Sequence, residues 1–317
     1  MNTKITFLDK EFANPIVTAS GVLGVTGATM VNNVKEKGVG GVTMKSVSVE
    51  PREGHPNPTI TTGEHFMINA VGLSNAGEEN SVKEIKYYKE NCQAPLIASV
   101  FAGDVEEFGE VTKKISEASP DFIEVNISCP NVEDEFGKPF AADPELAAEV
   151  TKIVKENTDI KVIVKLSPNV SSIGMIAQAV EAAGADAICA VNTFNGTLID
   201  VRTREFVLHN KFGGVSGPAI KPMAVKAVYD ISQAVKIPII GTGGVTTGQD
   251  VLEMMLAGAT LVGVGSAVYF GGGKDVFANM MGEIEQIMKE EGVEDLTEMI
   301  GGVKSGDEPA KACVVKK

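Results

Sequence analysis

The stretch Phe122-Ile123-Glu124-Val125-Asn126-Ile127-Ser128-Cys129-Pro130-Asn131 joins a strand-like segment to a reactive group. It begins as an apolar run, which is typical of a buried strand, and it ends in a cysteine flanked by asparagines. Buried structural cysteines normally lie among aliphatic residues, as Cys189 does in this chain. Because asparagine offers both a donor and an acceptor, Asn126 and Asn131 suit a polar planar ligand. The stretch therefore predicts a strand whose carboxyl end carries a binding site, with Cys129 as its reactive group.

Similar apolar runs recur along the chain, and each is followed by a helix-like segment. They are apolar nearly throughout rather than alternating, as expected of parallel strands covered on both faces. The helix-like segment 144–157 repeats apolar residues at helical spacing, with Asp143 as N-cap and Pro144 in the first turn. Segments 172–183 and 249–257 follow the same pattern. We predict eight strands, at residues 16–19, 41–45, 96–100, 122–126, 162–166, 187–191, 239–241 and 261–264.

Eight strand–helix units in 317 residues predict an α/β fold of the (β/α)₈ TIM-barrel type. A doubly wound sheet is the main rival, but the glycine spacing after the first strand does not fit its fingerprint. We expect an N-terminal hairpin (residues 5–7, then Phe12) to plug the barrel bottom. Two long excursions after strands, 46–93 and 193–237, should build the site or an oligomer contact. The chain is then one barrel domain, 1–317, with a frayed tail at 305–317.

Composition narrows the classes of function. The apolar fraction of 44% supports a large core, and the net charge of −14 argues against nucleic acid or anionic membranes as partners. No apolar run is long enough to span a membrane and no N-terminal signal is visible, so we expect a cytoplasmic protein. The four cysteines show no metal-ligand spacing, which predicts neither a metal site nor a disulfide framework. None of the three histidines lies at a predicted strand end, which gives more weight to Cys129.

Polar residues and glycines collect at the carboxyl ends of the predicted strands, where a barrel has its active site. The carboxyl ends of the last two predicted strands are rich in glycine, and each precedes a helix-like run. Their sequences are Gly241-Thr242-Gly243-Gly244 and Gly263-Val264-Gly265-Ser266. Backbone N–H groups at such glycines can approach a phosphate, although tight turns without a ligand would look the same. Lys45 and Lys165 end apolar runs and should face anions at the barrel mouth; the competing interpretation is two surface lysines.

At this point the motifs resemble the class 1 dihydroorotate dehydrogenases, and most closely their B type, the catalytic subunit of an NAD-linked complex. The resemblance covers nearly the whole chain. Its most specific blocks are Asn126-Ile127-Ser128-Cys129-Pro130-Asn131 and Gly217-Pro218-Ala219-Ile220-Lys221-Pro222. Asn69-Ala70-Val71-Gly72-Leu73 and Lys165-Leu166-Ser167-Pro168-Asn169 extend it. The family fold is a barrel that holds FMN at its carboxyl mouth, in agreement with the strand count.

The resemblance implies the following roles in oxidising dihydroorotate to orotate for pyrimidine biosynthesis. Cys129 is the base that removes a proton from ring carbon 5, and FMN takes the hydride from carbon 6. The substrate-binding residues are Lys45, Asn69, Ala70, Val71, Gly72, Leu73, Asn126, Asn131, Asn192 and Thr193. The FMN-binding residues are Ser20, Lys45, Ser46, Ser99, Asn126, Lys165, Val191, Gly217, Gly243, Gly244, Gly265 and Ser266. Ser99 departs from the family, which usually has asparagine there; a serine can still donate one hydrogen bond.

The electron acceptor is left open by the residues. The B type implies a homodimer that joins an electron-transfer subunit carrying FAD and a 2Fe–2S cluster in a heterotetramer, with NAD as acceptor, whereas the A type uses fumarate. Any iron–sulfur centre belongs on another polypeptide, because this chain has no cysteine cluster.

Three rival classes of protein share part of this pattern. They are a dihydropyrimidine dehydrogenase-like flavin barrel, a phosphate-binding barrel without flavin, and a non-catalytic barrel subunit. Asn131 stands where the first of these typically has histidine. A phosphate-binding barrel would explain the glycine ends but not a cysteine among asparagines, and the intact Cys129 and both lysines count against a non-catalytic subunit.

Overall fold

The computed structural model describes residues 1–128, 140–270 and 275–304. An eight-stranded parallel sheet forms its centre, and all eight predicted strands belong to it. A parallel bridge between Val17 and Gly41 joins the first strand of this sheet to the last, so the sheet closes on itself. With helices between the strands, this confirms the predicted (β/α)₈ barrel.

The strands of the described residues fall into the barrel, an N-terminal hairpin and two smaller antiparallel sheets. Going round the barrel, neighbouring strands begin at residues 16, 261, 239, 187, 161, 122, 96 and 42. In chain order the strands are β1 (Ile5–Phe7), β2 (Lys10–Phe12), β3 (Ile16–Thr18), β4 (Val42–Thr43), β5 (Ile60–Thr62), β6 (Met67–Asn69), β7 (Leu96–Val100), β8 (Phe122–Asn126), β9 (Lys161–Leu166), β10 (Ala187–Ala190), β11 (Phe194–Thr197), β12 (Ile199–Asp200), β13 (Glu205–Phe206), β14 (Phe212–Ser216), β15 (Ile239–Thr242) and β16 (Leu261–Val264).

The helices cover the outside of the barrel, and the three helix-like segments predicted from the sequence are among them. Asp143 accepts hydrogen bonds from the N–H groups of Glu145 and Leu146 and so caps the helix that starts at Pro144. The predicted segments 172–183 and 249–257 are helical to within one residue at either end. In chain order the α-helices of the described residues are α1 (Gly27–Lys37), α2 (Glu78–Asn91), α3 (Val105–Ser116), α4 (Pro144–Glu156), α5 (Ile173–Ala182), α6 (Lys221–Ala234), α7 (Gly248–Leu256), α8 (Ala267–Phe270) and α9 (Val276–Glu291).

The hairpin β1–β2 closes the amino end of the barrel, as predicted. Phe7 and Phe12 are fully buried and contact Phe122, the first residue of β8, with ring centroids 5.7 Å and 6.2 Å from it. Because the hairpin seals this end, the barrel interior opens at the carboxyl ends of its strands.

The two long excursions meet in one sheet. β5 and β6 belong to the first excursion, and β11 and β14 belong to the second; together they form a four-stranded antiparallel sheet. The central contact pairs Asn69 with Gly214 across β6 and β14. The excursions therefore build a wall above the barrel, and residues of this wall line the cavity described next.

Candidate active site

A cavity with a solvent-accessible volume of about 250 Å³ lies at the carboxyl mouth of the barrel. Its lining contains most of the residues that the sequence and the family resemblance predicted for the site. These are Ser20, Lys45, Ser46, Asn69, Val71, Gly72, Leu73, Asn126, Lys165, Val191, Asn192, Thr193, Gly243, Gly244, Gly265 and Ser266. Residues that are up to about 250 positions apart in the chain thus meet in one pocket.

Three predicted site residues lie near the cavity without being among its described lining. Ala70 is 1% exposed and is buried beside the four-stranded sheet of the two excursions. Gly217 precedes the turn into α6. Ser99 is also 1% exposed, and its hydroxyl lies against Ser46 and Glu124. Cys129 and Asn131 are outside the described residues, so their placement is not part of this geometry.

Amide groups at the ends of β8 and β10 are joined by hydrogen bonds into one wall of the cavity. The Asn126 Oδ1 atom accepts from the Ser128 N–H (3.3 Å) and hydroxyl (2.9 Å). The Asn192 Nδ2 atom donates to the Ser128 backbone oxygen (3.1 Å) and hydroxyl (2.9 Å). These bonds fix the orientations of Asn126 and Asn192, so the wall offers a pre-oriented set of donors and acceptors to a ligand.

A row of hydroxyl groups runs across the strands below this wall and ends at a pair of charges. The Ser46 hydroxyl is 3.0 Å from that of Ser20 and 2.9 Å from that of Ser99. The Ser99 hydroxyl donates to Glu124 Oε1 at 2.8 Å. The Lys165 Nζ atom is 4.0 Å from the same oxygen. Lys165 is 7% exposed, so it is a buried cation at the cavity floor rather than a surface lysine.

The loop after β15 brings backbone close to the cavity and is held by an ion-pair network. Gly244 has φ +75°, and a Cβ there would lie 2.6 Å from the backbone nitrogen of Lys221, so this turn needs glycine. Lys221 Nζ contacts Asp250 and Glu253, at 2.6 Å each, and Asp250 in turn accepts from the N–H groups of Thr246 and Thr247. Burial alone would raise the pKa of Asp250, but these hydrogen bonds outweigh it and the pKa is lowered.

The segment from Asn69 to Leu73 is fixed from behind by His55. The His55 N–H donates to the Val71 oxygen at 3.0 Å, and its ring Nδ1 lies 3.2 Å from the Ala70 oxygen. Since the Ala70 oxygen can only accept, this contact requires a proton on Nδ1. His55 therefore supports a segment that lines the cavity.

Sequence reasoning missed several residues that shape this site. Glu124 falls within a predicted apolar strand, and the sequence pattern does not predict it to lie near the site. Its carboxylate, two positions before Asn126 and hence on the same face of the strand, was an available signal. The roles of His55 and of the Lys221–Asp250 pair depend on contacts between distant segments, which have no local signal. Further lining residues come from the end of β15, the rim and the excursions: Val22, Ile60, Met67, Ser216, Ile220, Thr242 and Tyr269.

The side chains and backbone at this cavity suit a polar planar ligand that is joined to an anionic group. Lys45 and Lys165 supply positive charge, the asparagine wall supplies paired donors and acceptors, and the glycine-rich ends of β15 and β16 bring backbone to the cavity. In the described part of the chain, no cluster of three or more His, Cys, Asp or Glu side chains could hold a metal ion. No described helix combines the length and the apolar character that a bilayer span requires.

The fold and the cavity define a (β/α)₈ barrel with a ligand site at its carboxyl mouth. Residues 2–288 match the family model described as dihydroorotate dehydrogenase, and the chain belongs to that family. Proteins similar to it bear the name dihydroorotate dehydrogenase B (NAD(+)), catalytic subunit. One from Methanosarcina mazei is 43% identical, with 92% of each chain covered. One from Pyrococcus abyssi is 43% identical over 92% of this chain and 95% of its own. One from Lachnoclostridium phytofermentans is 40% identical over 96% and 100%.

Proposed function

We propose that this chain is the catalytic subunit of an NAD-linked dihydroorotate dehydrogenase and oxidises dihydroorotate to orotate in pyrimidine biosynthesis, with FMN as its cofactor. The observation that carries the proposal is the meeting of Lys165, Asn126 and the glycine ends of β15 and β16 in one cavity. Family membership and the names of the similar proteins support the same reaction.

The residues at the cavity fit a flavin mononucleotide. The Lys165 ammonium at the floor and the amide of Asn126 suit the polar edge of the isoalloxazine ring, which has carbonyl and imide groups. The ends of β15 and β16, where Gly244 leaves no room for a side chain, are the recurrent phosphate position of barrels. When bound, FMN supplies the acceptor for the hydride from carbon 6 of dihydroorotate.

The substrate would lie against the asparagine wall and the segment from Asn69 to Leu73. Asn126 and Asn192 are already oriented by Ser128, so they can bind the ring amides of dihydroorotate with little further loss of side-chain freedom. Lys45 lies alongside Gly21 at the rim, where its charge suits the substrate carboxylate. The chain thus holds the ring in a fixed orientation, which is the main contribution a protein makes to hydride transfer.

Cys129 is the proposed base that takes the proton from carbon 5. We expect Cys129→Ala to retain FMN but to slow flavin reduction by dihydroorotate by about 10²–10⁴-fold near neutral pH, the usual contribution of a general base. Anaerobic stopped-flow absorbance in a single turnover measures this rate. Cys92→Ala is the matched control, because Cys92 is buried outside the cavity and should leave the rate unchanged. An unaltered rate in Cys129→Ala would exclude the thiol from the chemistry.

The finer assembly belongs to the same proposal. The similar proteins are named catalytic subunits, which supports a partner polypeptide for this chain. We propose that a homodimer of this chain joins two copies of an FAD- and iron–sulfur-containing subunit, in the cytoplasm. Co-purification from the native host followed by acceptor assays tests this. NAD reduction by the complex, with none by the chain alone, is expected, whereas fumarate reduction by the chain alone would contradict it.

A further inference from the structure

Glu124 places a carboxylate inside the barrel. It lies in β8 between Ile123 and Val125, which are fully buried, and is itself 2% exposed. Residues two apart in a strand share a face, so Glu124 projects to the same side as Asn126, which lines the cavity. Glu124 is not among the described lining residues, and it therefore lies one step below the cavity floor.

The neighbouring strands supply the partners of this carboxylate. Ser99 on β7 donates its hydroxyl to Oε1 at 2.8 Å, and Lys165 on β9 holds its Nζ atom 4.0 Å from the same oxygen. The side chains of Glu124 and Lys165 are 3% and 8% exposed. An isolated charge is costly to bury, so each of these two groups compensates the other.

Of the residues that the structure describes, Cys189 is the other titratable group in this layer, and it adds no charge. It is paired with Lys165 across β9 and β10, and its sulfur lies 3.8 Å from the Thr242 hydroxyl. Burial, together with the nearby Glu124 carboxylate, raises the pKa of the Cys189 thiol above its ordinary value, so the thiol stays protonated. Among the described residues of this layer, the two charged groups are therefore the Lys165 ammonium, which lines the cavity, and the Glu124 carboxylate, which does not.

We propose that Glu124 is a positioning residue that acts through Lys165: it offsets the positive charge of Lys165 and so lowers the reduction potential of the bound flavin. This inference rests on the FMN site proposed above. Reduction adds electrons, so positive charge near the flavin favours the reduced form. Because the pair is buried, solvent screens its field weakly, and the Glu124 charge reaches the cavity.

Glu124→Gln tests the proposal, because it removes the charge while keeping an oxygen that can accept from Ser99. We expect the ratio of the FMN dissociation constants, oxidised over reduced, to rise about tenfold, which raises the two-electron midpoint potential by about 30 mV. Spectroscopic redox titration against a reference dye measures this shift without turnover. In the variant that combines Glu124→Gln with Lys165→Met, both charges are absent, and we expect a potential close to that of the unaltered protein.

Glu181→Gln is the control for a change in net charge alone. Glu181 caps the N–H groups of Lys236 and Ile237 away from the cavity, so the potential should not move. A Glu124→Gln protein that binds FMN at an unchanged or lower potential overturns the inference. Should this variant fail to fold, the double variant carries the test: a midpoint potential more than about 30 mV below that of the unaltered protein overturns the inference, because Glu124 would then not have been offsetting the charge of Lys165. Failure of the unaltered protein to bind FMN would instead refute the proposed function.

Discussion

At the scale of single residues, Lys165 shows how a buried charge can be kept available to a ligand. It is the fifth residue of β9 and lines the cavity, yet it is 7% exposed. Glu124 on β8 compensates the ammonium from below, which leaves the upper side of Lys165 directed at the cavity. A lysine in this position can bind a polar ring edge without the competition from water that a surface lysine has.

Replacing Lys165 should therefore weaken FMN binding. We expect Lys165→Ala to raise the dissociation constant of FMN by about 10–100-fold, since a hydrogen bond to a charged group contributes about 1.5–3 kcal/mol. Fluorescence titration of the apoprotein with FMN measures the change, and circular dichroism shows that the variant is folded.

Lys161→Ala is the control on the same strand. Lys161 begins β9 at the opposite end of the barrel, where it pairs with Asp186, so FMN affinity should be unchanged. Equal FMN affinities in the two variants would contradict the assigned role of Lys165.

The sequence predicted the ends of the barrel strands and hence which polar residues meet at the mouth. A lysine after three apolar residues favoured Lys165 as a residue of the barrel mouth, with a surface lysine as the competing interpretation. The partner of that lysine was not predictable, because the contact with Glu124 depends on the register of β8 against β9. Contacts of this kind are set by the assembled sheet, and no pattern within one strand encodes them.

At the scale of elements, the segment from Asn69 to Leu73 is held in a turn that few side chains tolerate. Gly72 has φ +74°, and a Cβ there would lie 2.5 Å from the backbone nitrogen of His55. Arg52 and Asn75 exchange backbone hydrogen bonds of 3.0 Å that close the base of the same loop. The turn at Gly72 is thus held by contacts within the first excursion.

Gly72→Ala should consequently impair substrate binding more than cofactor binding. The added methyl group must displace either His55 or the cavity-lining backbone, and the left-handed conformation adds about 1–2 kcal/mol. We expect the KM for dihydroorotate to rise about tenfold, with FMN affinity close to normal. Steady-state kinetics and FMN titration together separate the two effects.

Gly38→Ala controls for backbone strain alone. Gly38 has nearly the same φ, +72°, but nothing lies within 4 Å of the position that its Cβ would occupy. This variant should be less stable by about 1–2 kcal/mol and have a normal KM. A normal KM in Gly72→Ala as well would show that the loop does not position the substrate.

Asp186, the residue before β10, links β9 and β10 at their amino ends. Asp186 accepts from the Val162 N–H at 2.9 Å and from Lys155 and Lys161 at 2.7 Å and 2.8 Å. Burial alone would raise the pKa of Asp186, but the hydrogen bonds from both lysines and from the backbone outweigh it, and the pKa is lowered. Because the folded state holds this carboxylate in its charged form, the contribution to stability is present above the unfolded pKa and is lost as the pH falls through the folded value.

Asp186→Asn should accordingly destabilise the protein in a pH-dependent way. Near pH ~7 we expect the free energy of unfolding to fall by about 1.5–3 kcal/mol. Below about pH 4 we expect the difference in this free energy between Asp186→Asn and the unaltered protein to become smaller. Urea denaturation at several pH values measures this. Asp230→Asn removes an exposed pair with Lys226 and should change stability by less than about 1 kcal/mol. If Asp186→Asn lowered the free energy of unfolding by the same amount at every pH, this account would be contradicted.

At the scale of the whole molecule, the count of strand–helix units predicted the barrel because each unit has a local pattern. The pairing of the two excursions had no such pattern. β6 and β14 are separated by more than 140 residues, and they pair because the barrel holds the two excursions next to each other. The sequence thus predicted the position of the site, whereas the wall above it follows from contacts between distant segments.

The hairpin β1–β2 gives a test of how far the two ends of the barrel are independent. Phe12 is fully buried, and its ring stacks on that of Phe122 at 6.2 Å with an angle of 19° between the planes. We expect Phe12→Ala to lower the free energy of unfolding by about 3–5 kcal/mol, the usual cost of removing a buried phenylalanine ring. FMN affinity at low temperature should be unchanged, because the plug lies at the amino end and the cavity at the carboxyl end.

Urea denaturation and FMN titration of the same preparation measure the two quantities. Phe206→Ala is the matched control, since Phe206 is 42% exposed and contacts Phe212 edge to face, an interaction that contributes about 0.5–1.5 kcal/mol. If Phe12→Ala lost FMN affinity while still folded, the plug and the mouth would be coupled through the strands. If Phe12→Ala lowered the free energy of unfolding no more than Phe206→Ala does, the hairpin would not be part of the core, and the barrel would be stable without it.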